Sequence, residues 1–204
     1  LDVAFAEHFG YRIKLLAISK NKGNQVEARV HPTMIPFDNL LSSVNGTVNA
    51  IMVSGDAVGD IMLYGRGAGM MPTASSVISD AVDIARNLIA GTSRRIPTLC
   101  VQTEYIQNIK ILPMDEIETH YYFRFAALDR PGVLSAISGI LGRYDISIQS
   151  MQQKGRKTNG SVPVVMISHV AREVDVREAL AEIDLLDVLS QPTMLIRIED
   201  EKLD

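Results

Sequence analysis

Two stretches of this chain set residue types in an order that chemistry can use. The first is Asp129-Arg130-Pro131-Gly132-Val133-Leu134, between a run of alternating apolar residues and a run with helical periodicity. Pro131 and Gly132 make a tight turn. The helix that follows offers unpaired backbone N–H groups and the positive end of its dipole. Such a point holds a carboxylate, and Asp129 is placed to meet an ammonium group. A free amino acid carries both charges. The second stretch is Gly65-Arg66-Gly67-Ala68-Gly69-Met70-Met71-Pro72-Thr73-Ala74-Ser75-Ser76, a glycine-rich loop that runs into a long helix. Glycine lets backbone approach a ligand closely. Alone, such a loop is a weak sign of phosphate binding, and its Gly-x-Gly-Ala-Gly spacing is not the dinucleotide fingerprint.

Other chemistries find no constellation. None of the four histidines has a second ligand at metal spacing, so no metal site is expected. His31 reads as a strand-end residue fixed by Pro32, and His8, His120 and His169 as surface or sheet positions. No G-x-S-x-G context supports a Ser-His-Asp set. Lys14 alternates outward from a strand, which fits no catalytic role. The one cysteine, Cys100, cannot form an internal disulfide and belongs to no C-x-x-C pair. It reads as a small buried hydrophobe in Leu99-Cys100-Val101, and a reducing, cytoplasmic setting fits it best. Asp115, Glu116 and Glu118 read as a solvated linker. Arg94-Arg95, with Arg86 upstream, reads as a cationic helix end. No residue of this chain is assigned a catalytic role.

The composition narrows the partners. Of 204 residues, 47% are hydrophobic and 22% charged, enough apolar material for a core. The net charge of −4 and the absence of Trp argue against nucleic acid and anionic lipid. No apolar run reaches the ~18 residues that span a membrane. The chain opens Leu1-Asp2-Val3-Ala4-Phe5-Ala6, already inside an amphipathic pattern, which reads as a piece of a longer protein.

The elements that must position the two stretches follow from periodicity. Residues 1–9 read as a helix stopped by Gly10. Tyr11–Ser19 and Gln25–His31 read as a hairpin, with Val26, Ala28 and Val30 on one face and His31-Pro32 ending the second strand. Phe37–Ser43 reads as a short helix, and Gly46–Ser54 with Val58–Tyr64 as a second hairpin. The helix after Pro72 carries an apolar face of Val77, Ile78, Ala81, Val82, Ile84, Ala85, Leu88 and Ile89, and ends at Gly91. Residues 97–117 lack clean periodicity and read as a linker between domains at 1–96 and 118–204. The second domain runs strand His120–Ala127, helix Val133–Tyr144, strands Ile146–Gln153 and Val162–Val170, helix Val174–Ile183, strand Thr193–Ile198. That βαββαβ order is a ferredoxin-like sandwich. The fold class is α/β (α+β): a mixed-sheet partial domain followed by that sandwich.

D-R-P-G-V-L, followed by a helix and by Tyr144-Asp145-Ile146-Ser147-Ile148, resembles the ACT domain, by which many amino-acid enzymes sense an end product. The resemblance implies that effectors lie where two ACT sheets pair side by side. Asp129, Arg130, Pro131, Gly132, Val133 and Leu134 of one chain would face Ile146, Ser147 and Ile148 of the next. Some serine-binding relatives carry His two positions before the acidic or amide residue; here that position is Ala127. The rest of the chain resembles homoserine dehydrogenase. F-G-Y-R-I-K-L-L-A, V-H-P-T-M-I, V-N-G-T-V-N-A-I, L-Y-G-R-G-A-G-M-M-P-T-A-S-S-V and I-L-P-M-D-E-I-E-T-H-Y-Y-F-R-F occur in that family's order. The family reaction is the NAD(P)-dependent interconversion of aspartate 4-semialdehyde and L-homoserine, on the route to threonine and methionine. By the same resemblance the glycine loop approaches the nicotinamide end of the cofactor, Gly69 first, with Gly67 and Gly65 behind it. The nucleotide-binding fingerprint, the catalytic lysine and the substrate-holding acids would lie upstream of Leu1. The chain alone is then expected to be inactive and to hold no cofactor. L-Threonine is the expected effector, and ACT sheet pairing the expected route to a homo-oligomer. Two alternatives stay open: a stand-alone amino-acid sensor, and a non-catalytic ACT-type dimerisation module.

Overall fold

Helix α1 (Asp2–His8) stops at Gly10, whose φ of 85° suits glycine and whose N–H closes back on Glu7. The computed structural model describes residues 1–92, 99–153 and 160–200. After α1 come β1 (Tyr11–Asn21), β2 (Gln25–Pro36), β3 (Val48–Gly55), β4 (Gly59–Arg66) and α2 (Met70–Ile89). There follow β5 (Lys110–Ile111), β6 (Glu118–Leu128), α3 (Val133–Arg143), β7 (Ile148–Gln153), β8 (Ser161–Ser168), β9 (Ala171–Arg172), α4 (Glu173–Ile183) and β10 (Met194–Ile198). Short 3-10 turns occupy Leu40–Ser43, where the sequence reads as a helix from Phe37, and Met114–Glu116 within the expected linker.

The chain forms two units, Leu1–Ser42 with Ile109–Asp204, and Ser43–Asn108. The first holds a mixed sheet in the order β1-β2-β10-β6-β8-β7. Its part β10-β6-β8-β7, with α3 and α4, is the expected βαββαβ sandwich. Strand β6 is buried on both faces, which is why Tyr121–Ala127 is apolar with little alternation. Tyr121, Phe123, Phe125 and Ala127 point to the helix layer and meet Val133, Ile137, Leu141, Val176, Leu180 and Ile183. Tyr122 points the other way, to a second core with Phe5, Ala6, Tyr11, Met34, Val165, Ile196 and Ile198, where α1 lies. Each such large side chain contributes about 1.5–3 kcal/mol by burial.

β2 departs from the sequence reading. It does not end at His31-Pro32 but runs on to Pro36, paired with β1 throughout. Pro32 sits where β2 is paired on one side only, before β10 joins in parallel at Thr33. Strands tolerate proline at such edges, and extended backbone is what the residue before proline prefers. Pro163 in β8 is placed alike, opposite Ala126 but just before the pairing with β7. The buried face of β2 is also the polar one: Glu27, Arg29, His31 and Thr33 are buried while Ala28 and Val30 are exposed. Because β2 joins β10, residues 1–42 fold with the sandwich. Compactness therefore cuts the chain elsewhere than the periodicity does.

In the second unit β3 and β4 pair antiparallel from Val48↔Arg66 to Gly55↔Gly59. Helix α2 begins after Gly69 and ends as expected. Gly91 takes φ 66°, its N–H bonds to Leu88, and the Thr92 N–H bonds to Asn87, the left-handed closure that glycine permits. Its apolar face is exposed, Val77, Ile78, Val82, Ile84, Leu88 and Ile89 included, and α2 has no buried residue. Cys100 is likewise exposed rather than buried, at a φ of 57°. Arg94, Arg95 and the expected boundary at residues 96–97 lie outside the described residues.

Candidate functional site

β6 delivers the chain to the Asp129 turn. Arg130 N–H bonds to the Leu128 carbonyl at 2.9 Å, Gly132 takes φ 89°, and α3 starts at Val133. Ala127, Leu128, Asp129, Arg130, Val133, Leu134, Gln153 and Val164 line a cavity of ≈ 90 Å³ at this turn. One water position needs roughly 10–15 Å³, so the space suits a molecule of several heavy atoms. Four of the expected effector residues, Asp129, Arg130, Val133 and Leu134, are in the lining. Pro131 and Gly132 shape the turn and stay exposed.

The register explains why Gln153 is there. β6 and β7 both end beside the start of β8, with Leu128 opposite Ser161 and Gln153 opposite Val164. Ile146, Ser147 and Ile148 lie at the other end of β7, where Ile148 pairs with Ser168. The Ile146 side chain is in the core, and the Ser147 carbonyl accepts from His169 N–H. Within one chain the two groups of expected effector residues are therefore at opposite ends of the sheet. Gln153 was not found from sequence. Its only signal is its count along β7, which means nothing until the register is known.

The edges of the sandwich differ. The outer side of β10 is taken by β2, whereas among the described residues β7 pairs only with β8.

In the glycine loop, Gly67 and Gly69 answer to the fold. A Cβ on Gly67 would meet Asn49 Nδ2 at 2.3 Å, and Gly69 has φ 131° with Pro72 Cδ 3.3 Å from the Cβ position. Gly65, opposite Asn49 in the hairpin, has neither a positive φ nor any neighbour within 4 Å of that position. The fold leaves its surface open.

The polar face of β2 forms a connected set with the C-terminal strand. Arg29, with 1% of its side chain exposed, bonds to Glu27 at 2.6 Å, to Glu199, and to His31 Nε2 at 2.9 Å. Since Arg29 can only donate, the His31 proton sits on Nδ1, 2.9 Å from Thr33 Oγ1. Burial, together with the nearby Arg197 and Arg29 cations, holds the His31 pKa below its ordinary value, against the pull of the Pro32 carbonyl. His31 is thus a buried member of this set and not a strand-end residue. Burial pushes Glu199 up, but Lys20 at 2.5 Å and Arg29 outweigh it, and the net shift is downward. Arg197 grips Glu173 at the start of α4, one contact at 2.8 Å, and Tyr121 OH donates to the same carboxylate at 2.9 Å. On the other side of the sheet Asp2 accepts from Arg124 at 2.5 and 3.1 Å and from Tyr122 OH at 3.0 Å.

The homoserine dehydrogenase family matches residues 1–82, and the ACT domain family matches residues 121–184. A homoserine dehydrogenase of Neisseria gonorrhoeae is 43% identical over 97% of this chain. The chain joins a homoserine dehydrogenase segment to an ACT domain. The homoserine dehydrogenase of Pseudomonas aeruginosa is 42% identical, again over 97% of the chain. The crystal structure of a homoserine dehydrogenase from Thiobacillus denitrificans superposes with a TM-score of 0.87 at 44% identity, covering all of this chain and 45% of that one. The chain spans just under half the length of these dehydrogenases, 46% of the N. gonorrhoeae enzyme. Among the described residues no three or more His, Cys, Asp or Glu form a metal-holding group, and no helix is long and apolar enough to cross a membrane.

Proposed function

We propose that this chain is the amino-acid-sensing part of a cytoplasmic homoserine dehydrogenase, whose whole protein interconverts aspartate 4-semialdehyde and L-homoserine with NAD(P) for threonine and methionine synthesis. The cavity beside the Asp129 turn, next to the open β7 edge, carries this reading. Antiparallel pairing of β7 with β7 of a second copy runs the two strands past each other end to end. It thereby brings Ile146–Ile148 of the copy to the Asp129 end, which one chain alone does not do. L-Threonine is the proposed effector. Its ammonium faces Asp129 and its carboxylate faces the N–H groups that open α3.

The cofactor reading rests on Gly65, Gly67 and Gly69. Gly65 supports it best, since nothing in the chain itself requires a glycine there. The exposed apolar face of α2 supports a further domain packing over residues 43–108. The proposed division follows the periodicity, with 1–96 as the end of the catalytic domain, 97–117 as linker and 118–204 as the ACT domain; the family matches at 1–82 and 121–184 fall inside the two outer parts.

Thermal unfolding with excess L-threonine tests the effector reading, with L-lysine and L-methionine as controls and sedimentation to read the oligomer. A ligand at about a hundred times its Kd adds roughly 2.7 kcal/mol to the folded form. The expected outcome is a threonine-dependent rise in Tm that Asp129→Asn abolishes. A folded dimer that no amino acid stabilises would leave the ACT domain as an assembly element and refute the sensor.

A further inference from the structure

We infer that Arg29, His31 and Glu199 form a proton-sensitive latch between the β1–β2 hairpin and the strand that closes the sandwich. It holds while His31 is neutral, and its release takes up a proton. The latch stands apart from the cavity at the Asp129 turn and uses none of its residues. The backbone join that it reinforces is short. β10 meets β2 at Arg197↔Thr33 and Ile198↔Met34, and the Glu199 N–H adds a bond to the Met34 carbonyl at 2.9 Å. On its other side β10 is paired with β6 from Met194 to Ile198. Side chains therefore carry much of what holds the hairpin here. Arg29 uses all three guanidinium nitrogens: Nε to Glu27 at 2.6 Å, Nη2 to Glu199 across the join, and Nη1 to His31 Nε2 at 2.9 Å.

His31 meets Arg29 only through the lone pair on Nε2, since arginine has nothing but donors. A proton on that nitrogen sets donor against donor and cation against cation. The guanidinium is planar and rigid, so Nη1 cannot retreat without drawing Nη2 off Glu199 or Nε off Glu27. Glu27 is two residues away on the same strand, so the bond across the join is the one that yields. The acids that face His31 are already held. Arg29 holds Glu27 and Glu199, and Arg197 with the Tyr121 hydroxyl holds Glu173 of α4. β1 and its turn add cations to this face: Lys20, 2.5 Å from Glu199, Lys14 opposite Thr33, and Lys22, 3.9 Å from Glu27. Burial and the Arg197 and Arg29 cations accordingly keep His31 below its ordinary value of 6.5 while the latch is closed. On the opposite face Met34, Ile196 and Ile198 stay in their apolar core, so release is confined to the polar side and to the Glu199 end.

The test follows amide hydrogen exchange by NMR on the full chain at about pH 7.5 and about pH 5.5, expressed as protection factors. Glu199, held below its ordinary 4.5, stays ionised at both. An open form with His31 at 6.5 gains about tenfold over a neutral closed form across that interval. Protection of the Glu199 amide should therefore fall about tenfold, while Phe123 and Met166 in the β6–β8 pairing keep theirs. His31→Gln retains an acceptor for Arg29 and every other histidine, and should abolish the fall. Glu199→Gln, at a side chain 18% exposed, should lower protection at residue 199 already at the higher pH and spare Phe123. A loss at Glu199 that Phe123 and Met166 share, no loss at all, or the same pH dependence in His31→Gln overturns the latch. So does full protection at residue 199 in Glu199→Gln.

Discussion

Replacing Arg29 with Met removes the one cation that touches Glu27 closely. In the native chain Arg29 sits 2.6 Å from Glu27, and both side chains are at most 2% exposed. The next cation, Lys22, stands 3.9 Å from the Glu27 carboxylate, with its own side chain half exposed. Arg29→Met therefore strands a buried carboxylate, and it also takes one partner from Glu199 and the donor from His31 Nε2. Breaking a buried pair by removing one member costs about 3–5 kcal/mol. For a chain of this size that is a fall in Tm of about 6–20 °C. The pair itself is worth far less, because its desolvation nearly offsets its attraction. Glu27→Gln with Arg29→Met should thus recover most of the loss, giving a coupling in the double-mutant cycle that approaches the single-mutant cost. Far-UV circular dichroism during urea unfolding reads all four species. A cost below about 1 kcal/mol for Arg29→Met, or a double variant worse than either single one, would refute the argument.

The His31 pKa is lowered on folding, so the unfolded chain takes up the proton first as pH falls. The stability that His31 contributes is fully present above its ordinary value of 6.5 and is lost as pH drops below that toward the folded pKa. Asp2 and Glu199 are also lowered and have the same sign, but they act only below their ordinary values of 3.8 and 4.5. Urea midpoints between pH 5 and 6.5 should fall in the native chain and stay flatter in His31→Gln; parallel curves would clear His31 of the effect. Two glycines of the Asp129 turn and α3 should respond to alanine with opposite sign. Gly132, at φ 89° with open space around its Cβ position, should lose about 1–2 kcal/mol from backbone strain alone. Gly142, inside α3 with equally open space and no positive φ, should gain about 0.4–1 kcal/mol. Thermal unfolding of both variants checks this, and equal shifts would mean that φ is not what sets the cost.

Short-range pattern made the sandwich legible. The apolar run in His120–Ala127, the helical spacing of Val133, Ile137, Ile140 and Leu141, and the glycines at 10, 91 and 132 are local instructions that the fold obeys. What was missed depends on distant partners. Alternation groups Val26, Ala28 and Val30 on one face of β2 but does not say that the other face, Glu27, Arg29, His31 and Thr33, is the buried one. They are covered because the C-terminal strand arrives from far along the chain, with Glu199 bonded to Arg29 and Arg197 paired with Thr33 in the sheet. Proline at 32 reads as a terminator until it is known that β10 joins only at Thr33. The apolar face of α2 is legible from its spacing, but what would cover it is not, and among the described residues it is exposed. Of the site, the turn was visible from its residue types. Gln153 was not, since facing along β7 is decided by register. Cys100 shows the same limit, as an apolar neighbourhood in sequence did not put it inside.

The join between β2 and the C-terminal strand also fixes an order of events. Arg29 and Glu199 are 170 residues apart, and Tyr11 and Asp200 are 189 apart. On a ribosome the β1–β2 hairpin is made before β10, and its polar face stands uncovered, with Arg29 paired to Glu27 but not yet to Glu199. Closing so long a loop costs only about 2–3 kcal/mol more than closing one of ten residues, so the wait is a matter of synthesis time rather than of entropy. During it β2 offers an unpaired edge to any extended segment nearby. β10 therefore both completes the sandwich and ends the interval in which β2 is most open to pairing with the wrong partner.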